Sequence, residues 1–119
     1  MRVNDTSVPD WLTLPDVAEQ LGLRITDVRR MLEDRQLIAV RRGERNVLSV
    51  PAAFIGEDGP LPELAGTFTV LRDGRFADDE IIEWMFAPDE TLPAGSNPME
   101  AILAGFKTEV RRRAMEEAL

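Results

Sequence analysis

The stretch LTLPDVAEQLGLRITDVRRMLEDRQLIAVRRGERNVLSVP, residues 12–51, carries the signals that decide the fold of the first half of the chain. Thr13 can cap a helix that begins near Leu14, and Asp16, three residues after the cap, completes a capping box. Gly22 is a natural stop for this helix. The sequence therefore predicts a short first helix with both ends defined.

A second helix is predicted after a connection of only two residues. Its apolar residues recur at helical spacing and would face inward: Ile25, Val28, Met31 and Leu32. On an ideal helix, Thr26, Arg30 and Glu33 lie farthest from that stripe, and Arg29 lies on its flank. Two short helices joined by a tight turn that contains glycine form a helix-turn-helix, which presents its second helix to solvent.

A β-hairpin with a basic tip is predicted after the second helix. Ile38 and Val40 alternate toward one side, and Leu48 and Val50 do the same after a loop centred on Gly43. The loop and its flanks carry residue types that contact phosphates or a minor groove: Arg41, Arg42, Arg45 and Asn46. A helix-turn-helix followed directly by such a hairpin is a winged helix-turn-helix, and the hairpin is its wing.

Charge is distributed unevenly along the sequence. The formal net charge is −8, yet residues 22–50 contain seven arginines. Residues 1–56 are neutral, with eight acids and eight arginines, whereas residues 57–119 hold fourteen acids and six basic residues. Arginine suits phosphates and guanine edges because its planar fork donates in pairs, although codon bias in a GC-rich genome explains the arginine preference equally well. The winged fold would bring the arginines of helix and wing to one surface.

The composition excludes several classes of function. The chain has no cysteine and no histidine, so it has no disulfide, no nucleophilic thiol, no imidazole base and none of the usual zinc ligands. No window approaches the ~20 apolar residues of a membrane helix, and the N-terminus lacks the apolar core of a signal peptide. We therefore expect a cytoplasmic protein that is not an enzyme, with no cofactor, no metal and no membrane partner.

The segment GEDGP, residues 56–60, is an acidic break rich in turn residues and marks the predicted domain boundary. The expected organisation is a flexible N-terminal tail (1–10), a winged helix-turn-helix domain (11–56) and an acidic helical region packed on it (57–119). The predicted fold class is mainly α with a small β-hairpin wing, ending in an all-α region of about three helices.

The three predicted helices of the second half differ in their signals. The first ends at Asp73 and has apolar residues at helical spacing: Leu61, Leu64, Ala65, Phe68 and Leu71. The second opens with three acids, which the helix macrodipole explains better than a metal site does. The third is capped by Ser96 or Asn97, begins at Pro98 and has a stripe predicted to be buried: Met99, Ile102, Leu103, Phe106 and Val110. Its arginines 111–113 can pair with glutamates, which favours a solvated face over a second DNA contact.

Residues 12–43 resemble the winged helix-turn-helix of the MerR and excisionase type. The shared pattern is an apolar residue, an acid and an alanine, followed by Leu-Gly and then by Val-Arg-Arg. The string TVLRDGRFADDEIIEWMFAPDETL, residues 69–92, resembles the C-terminal extension of a family of small actinobacterial DNA-binding proteins. This resemblance implies binding to double-stranded DNA by the second helix and the wing. The residues it assigns to DNA binding are Thr26, Arg29, Arg30, Arg42 and Arg45.

One departure from the family pattern concerns the second helix. Arg24 stands where such proteins usually have a serine or threonine cap, so a helix that begins later, at Thr26, is an alternative. The resemblance also implies that Thr6, in the polar tail, is a substrate of a Ser/Thr protein kinase, against the alternative of a simple disordered tail. A homodimer through the last helix is a further alternative.

The sequence thus predicts a transcriptional or nucleoid regulator. The alternative is a protein-interaction module on a winged-helix scaffold that no longer binds DNA.

Overall fold

A computed structural model of the chain describes residues 8–93 and 96–119. In these residues there are six α-helices: α1 (Leu14–Leu21), α2 (Ile25–Glu33), α3 (Ala65–Asp73), α4 (Asp78–Phe86), α5 (Pro98–Leu103) and α6 (Lys107–Glu117). There are five short strands: β1 (Trp11–Thr13), β2 (Val40–Arg42), β3 (Val47–Pro51), β4 (Ile55–Gly56) and β5 (Gly59–Pro60). Two 3₁₀ turns lie at Ala52–Phe54 and Pro62–Leu64. The predicted fold class, mainly α with a small hairpin wing, is confirmed.

The predicted capping box fixes the start of α1. The Thr13 hydroxyl accepts a hydrogen bond from the Asp16 N–H at 3.3 Å, and the Asp16 carboxylate accepts one from the Thr13 N–H at 3.2 Å. These two bonds satisfy backbone donors that a helix start otherwise leaves unpaired. The helix ends before Gly22, as predicted.

α2 begins at Ile25, so the later start at Thr26 is wrong. The Arg24 side chain makes no capping hydrogen bond, but the Arg24 N–H donates to Asp27 Oδ2 at 3.1 Å. This bond and the adjacent Arg24 guanidinium hold the pKa of Asp27 below its ordinary value of 3.8. The start of α2 therefore depends on a carboxylate in its own first turn.

The wing belongs to a three-stranded antiparallel sheet with the strand order β1-β3-β2. β2 and β3 form the predicted hairpin, with Arg41 opposite Leu48. β1, which the sequence does not predict, pairs with β3 through Leu12 opposite Val50. A strand of three residues has no readable periodicity, and its partner lies far along the chain, so local patterns could not reveal it.

The two faces of this sheet pack against different parts of the molecule. Leu48 and Val50 face α1 and α2, in a small core whose buried members are Leu14, Val17, Ala18, Val28 and Val50. Trp11 and Val40 pack against a second, larger core. The sheet is therefore a layer between the helix-turn-helix and the rest of the chain.

The larger core joins the two halves of the sequence. Phe54, which is completely buried, packs its ring against Phe68 of α3 and Phe86 of α4, with centroid distances of 5.2 and 5.8 Å. Leu37 and Ile38 belong to the same cluster. The core is thus continuous across the boundary predicted at residues 56–60, where β4 and β5 form a tight two-stranded turn.

The segment before β1 is packed as far as it is described. Val8 is buried in the larger core, and the Asp10 carbonyl accepts a hydrogen bond from the Ala52 N–H at 2.9 Å. The flexible tail is predicted to extend to residue 10, but residues 8–10 are held against the rest of the fold. Thr6, the predicted phosphorylation site, lies outside the described residues.

The last predicted helix is in fact two helices, so the described C-terminal region has four helices and not three. Asn97 caps α5, as predicted. The break lies at residues 104–106, where Gly105 has φ +100°, a conformation that residues with a side chain rarely adopt. Because the chain turns there, Leu103 is 54% exposed and Phe106 39% exposed, and their predicted burial is wrong.

Replacing Asp27 by Asn tests the start of α2. Because folding lowers the pKa of Asp27, its carboxylate stabilises the fold above the ordinary pKa of 3.8, and this contribution is lost as the pH falls below that value. We expect Asp27→Asn to lower Tm by a few degrees at pH 7 and to approach the parent Tm toward pH 3, followed by circular dichroism. Asp34→Asn, at the other end of α2, is the control and should leave Tm unchanged or raise it. An equal deficit for Asp27→Asn at both pH values would contradict this role.

Replacing Phe86 by Ala tests whether the two halves share one core. We expect a loss of about 3–5 kcal/mol in the free energy of unfolding, measured in urea, because a buried aromatic ring is removed. Amide hydrogens of α1 and α2 should lose protection from exchange together with those of α3. Phe106→Ala, at an exposed ring, is the control and should cost less than about 1 kcal/mol. Persistent protection of α1 and α2 after α3 has unfolded would show that the halves fold independently.

Candidate nucleic-acid interface

The solvent-facing side of α2 is the first part of the candidate interface. Thr26, Arg29 and Arg30 are all exposed, and their spacing of three and four residues places them on one side of the helix. Val28, on the opposite side, is completely buried in the small core. The structure therefore brings these three predicted residues together on a helix whose orientation is fixed by packing.

Arg24, which is not among the residues predicted from the sequence to bind DNA, is also exposed at the start of α2. Its side chain is 83% exposed, and its Nε lies 3.5 Å from Asp27 Oδ2. Asp27 thus accepts from both the backbone N–H and the guanidinium of Arg24, and most of the Arg24 side chain remains open to solvent. A positive charge at the N-terminal end of the presented helix is the signal that could have identified it.

The turn of the wing is held in a defined shape. Gly43 and Asn46 both have a left-handed backbone, with φ of +74° and +50°, and the Asn46 N–H donates to the Gly43 carbonyl at 3.2 Å. Arg41 Nη1 donates to the Asn46 carbonyl oxygen at 2.9 Å. Arg45, inside this turn, is exposed. The wing thus presents Arg45 at its tip, and Arg41 contributes to the shape of the turn.

Arg42, the other predicted wing residue, has a different environment. It is half-buried, and its guanidinium carbon lies 4.3 Å from the centre of the Trp11 ring. This distance corresponds to a cation–π contact. Trp11 lies on β1, the strand that the sequence does not predict, so the contact could not be anticipated.

The arginines near the end of the chain contact nearby groups of their own region. Arg112 donates to both carboxylate oxygens of Glu109, at 2.5 and 2.6 Å, and this pairing lowers the pKa of Glu109 and raises the pKa of Arg112. Arg113 donates to Thr91 Oγ1 at 2.7 Å and lies 3.5 Å from Asp89. Arg113 thereby ties α6 to the loop after α4.

One of these acidic partners, Asp89, also bonds within the loop itself. The Thr91 hydroxyl and the Thr91 N–H both donate to the Asp89 carboxylate. These bonds, that of the hydroxyl first, lower the pKa of Asp89. Beside them, the Arg111 guanidinium lies across α3 at Gly66, where a Cβ atom would collide with it. The basic run 111–113 therefore serves packing and pairing in the C-terminal region.

Residues 8–93 and 96–119 contain no group of three or more histidine, cysteine, aspartate or glutamate side chains placed to hold a metal ion. Within the same ranges, no helix has the length and apolarity needed to cross a membrane.

Known proteins share both parts of this architecture. The family model described as DNA-binding protein Rv2175c, wHTH domain, matches residues 3–55, and the model described as the Rv2175c C-terminal domain of unknown function matches residues 61–118. DNA-binding protein Rv2175c of Mycobacterium tuberculosis (strain ATCC 25618 / H37Rv) is 35% identical over 128 residues, covering 97% of this chain and 86% of the relative. The NMR structure of Rv2175c has a TM-score of 0.81 at 32% identity, covering 100% of this chain and 89% of that one. The chain therefore belongs to the Rv2175c family and combines its winged helix-turn-helix domain with its C-terminal domain.

Proposed function

We propose that the chain binds double-stranded DNA and acts as a transcriptional or nucleoid regulator. In this proposal α2 enters the major groove and the wing contacts the DNA backbone. The observation that carries it is the exposed side of α2, where Thr26, Arg29 and Arg30 lie together on a helix held by the small core. The name of the relative, DNA-binding protein Rv2175c, supports the same function.

The proposed contacts divide into base readout and backbone positioning. An arginine on a helix in the major groove can donate two hydrogen bonds to the O6 and N7 atoms of guanine, which suits Arg29 and Arg30. Thr26 can donate to a base or a phosphate. Arg45 at the wing tip, like Arg24 at the start of α2, is placed for a phosphate, which supplies affinity with little sequence preference.

The acidic C-terminal region is proposed to limit binding to random DNA. Residues 57–119 carry a net charge of −8, and a Debye length of about 8 Å at physiological salt confines their effect on bound DNA to the acids nearest to it. Non-specific complexes depend almost wholly on phosphate attraction, whereas specific complexes keep their short-range base contacts. Repulsion between the acids and the phosphates therefore weakens non-specific complexes more than specific ones.

The proposal includes two further partners, a Ser/Thr protein kinase and a second copy of the chain. Phosphorylation of Thr6 by a Ser/Thr kinase would add about −1.5 to −2 charges to the segment before β1 and weaken DNA binding by repelling phosphates. A homodimer is the alternative to a monomer, with α6 as the contacting helix. Equal DNA affinity of the phosphorylated and unmodified chains at low salt would remove the kinase from this proposal.

Alanine variants of Arg30 and Arg45 test the two kinds of contact. We expect Arg30→Ala to relax sequence preference and to cost on the order of 1–3 kcal/mol at one base position. Arg45→Ala should weaken binding to all sequences alike and reduce the slope of log K against log salt by about one unit. Binding is measured by fluorescence anisotropy on fragments selected from genomic DNA, at two or more salt concentrations.

The control for these variants is Lys107→Ala, which removes one positive charge from the exposed start of α6. It should preserve both the sequence preference and the salt slope. If all three variants bind every fragment as the parent does, the proposed interface is wrong. If the parent selects no fragment, the protein-interaction module is the better interpretation.

Replacing Glu90, Glu116 and Glu117 by Gln tests the acidic region. Asp89 is left intact because its carboxylate bonds to Thr91. The three replaced side chains are exposed, so folding should be unaffected in circular dichroism while affinity for random DNA rises at low salt. An affinity for random DNA that is unchanged at every salt concentration would show that these acids are electrostatically remote from DNA.

A further inference from the structure

We propose that Arg42 holds the wing in position through Trp11 rather than contacting DNA, which makes both of them positioning residues for DNA binding. The proposal rests on the DNA-binding function proposed above and assigns a mechanism to its wing. It replaces the direct DNA contact that the sequence suggests for Arg42. It also gives a role to Trp11, for which no sequence pattern predicts one.

The sheet register places the two side chains on one face. Arg42 lies opposite Val47 and Trp11 lies opposite Pro51, and these two β3 residues are four positions apart. Because side chains alternate along a strand, residues separated by an even number share a face. The guanidinium carbon of Arg42 lies 4.3 Å from the centre of the Trp11 ring. The contact therefore reaches across the central strand and connects the two outer strands, β1 and β2.

The neighbouring arginines have separate tasks. Arg41 lies opposite Leu48 and thus on the other face of the sheet, where it donates to the Asn46 carbonyl oxygen at 2.9 Å. Arg45 is exposed in the turn. Arg42 supports the end of β2 next to the turn, Arg41 supports the turn itself and Arg45 contacts DNA, so one wing uses three arginines in three ways.

Trp11 is itself anchored by packing. It is half-buried against the larger core, which is built mainly from the C-terminal helices. Its indole Nε1 is buried and has no hydrogen-bond partner among the described residues. A phenylalanine would avoid burying this N–H but would offer a weaker cation–π surface. The ring face, and not the polar edge, is therefore what tryptophan contributes here.

The mechanical consequence concerns Arg45. β1 and β2 each pair with β3 over three residues, and the contact between Arg42 and Trp11 adds a direct link between the two outer strands from the end of β2 next to the turn. Loss of the contact between Arg42 and Trp11 would let β2 tilt relative to β1, so that the wing tip would occupy a wider range of positions. Phosphate attraction by Arg45 weakens with distance, so affinity falls although no DNA contact is removed.

The first test is a double-mutant cycle with Arg42→Met and Trp11→Leu in the full chain. We expect each variant to lower affinity for a selected DNA fragment about three- to tenfold, and the double variant to be no weaker than the poorer single one. Because the loss is carried by Arg45, adding Arg42→Met or Trp11→Leu to an Arg45→Met variant should cost little further affinity. Trp11→Phe, which keeps a ring and is the safer variant for folding, should give a smaller loss in the same direction.

The second measurement separates positioning from phosphate contact. Arg45→Met should reduce the slope of log K against log salt by about one unit, whereas Arg42→Met, which leaves Arg45 in the wing, should reduce it by clearly less. A guanidinium that binds no phosphate releases no counterion from DNA. Thermal unfolding of both variants, followed by circular dichroism, separates this difference from a weakening of the fold.

The third measurement uses tryptophan fluorescence without DNA. The chain has two tryptophans and no tyrosine, so a Trp84→Phe variant leaves Trp11 as the fluorophore. Removal of a positive charge from the ring face by Arg42→Met should shift its emission, while Arg45→Met should not.

The outcomes separate this proposal from the proposed function. An Arg42→Met variant that lowers the salt slope by one unit, with an affinity loss that multiplies with that of Trp11→Leu, would overturn the positioning role and restore a direct contact. An unshifted Trp11 emission in Arg42→Met would overturn it as well. Failure of the parent chain to bind any DNA overturns the proposed function and this role with it, whereas the preceding results leave DNA binding intact.

Discussion

The packing of Phe54 is the constraint on which the rest of the structure depends. Its ring is completely buried and contacts Phe68 and Phe86, which belong to the C-terminal helices. Phe54 follows the wing by only a few residues, so its burial fixes where the sheet lies relative to α3 and α4. A helix-turn-helix with a three-stranded sheet has little interior of its own, and small domains bury too little surface to be very stable alone. The C-terminal region supplies the missing core.

This arrangement also separates the charges of the chain. The arginines of α2 and of the wing turn lie on elements that the core leaves open to solvent, whereas the arginines at 111–113 are engaged within the C-terminal region, through Glu109, Thr91 and the backbone at Gly66. Arginines at different positions therefore have different roles, because those at 111–113 already serve packing and pairing within the C-terminal region. The acidic surface remains beside the basic one in a small molecule, where screening limits but does not remove its effect.

Local signals account for what the sequence predicts correctly. The capping box of Thr13 and Asp16, the Asn97 cap and the exposed side of α2 are all determined by residues within one or two helical turns. The errors have two physical origins. β1 and the contact of Trp11 with Arg42 depend on pairing between distant segments, which no short window shows. The break at Gly105 falls inside an apolar spacing that would suit one continuous helix, but the left-handed glycine and the hydrogen bond from the Phe106 N–H to the Ala101 carbonyl at 2.9 Å end α5 there.

The position of the sheet has a consequence for how the C-terminal region takes part in DNA binding. One face of the sheet packs against α1 and α2, and α2 presents Arg29 and Arg30. The other face packs against the larger core through Trp11. Close-packed interiors transmit displacements instead of absorbing them. A change in packing beneath Trp11 would therefore alter the position of the wing relative to α2, even if the altered residue is far from DNA. In this family architecture the C-terminal region and the winged domain form one mechanical unit, in which the distance between helix and wing is set by a core built from both.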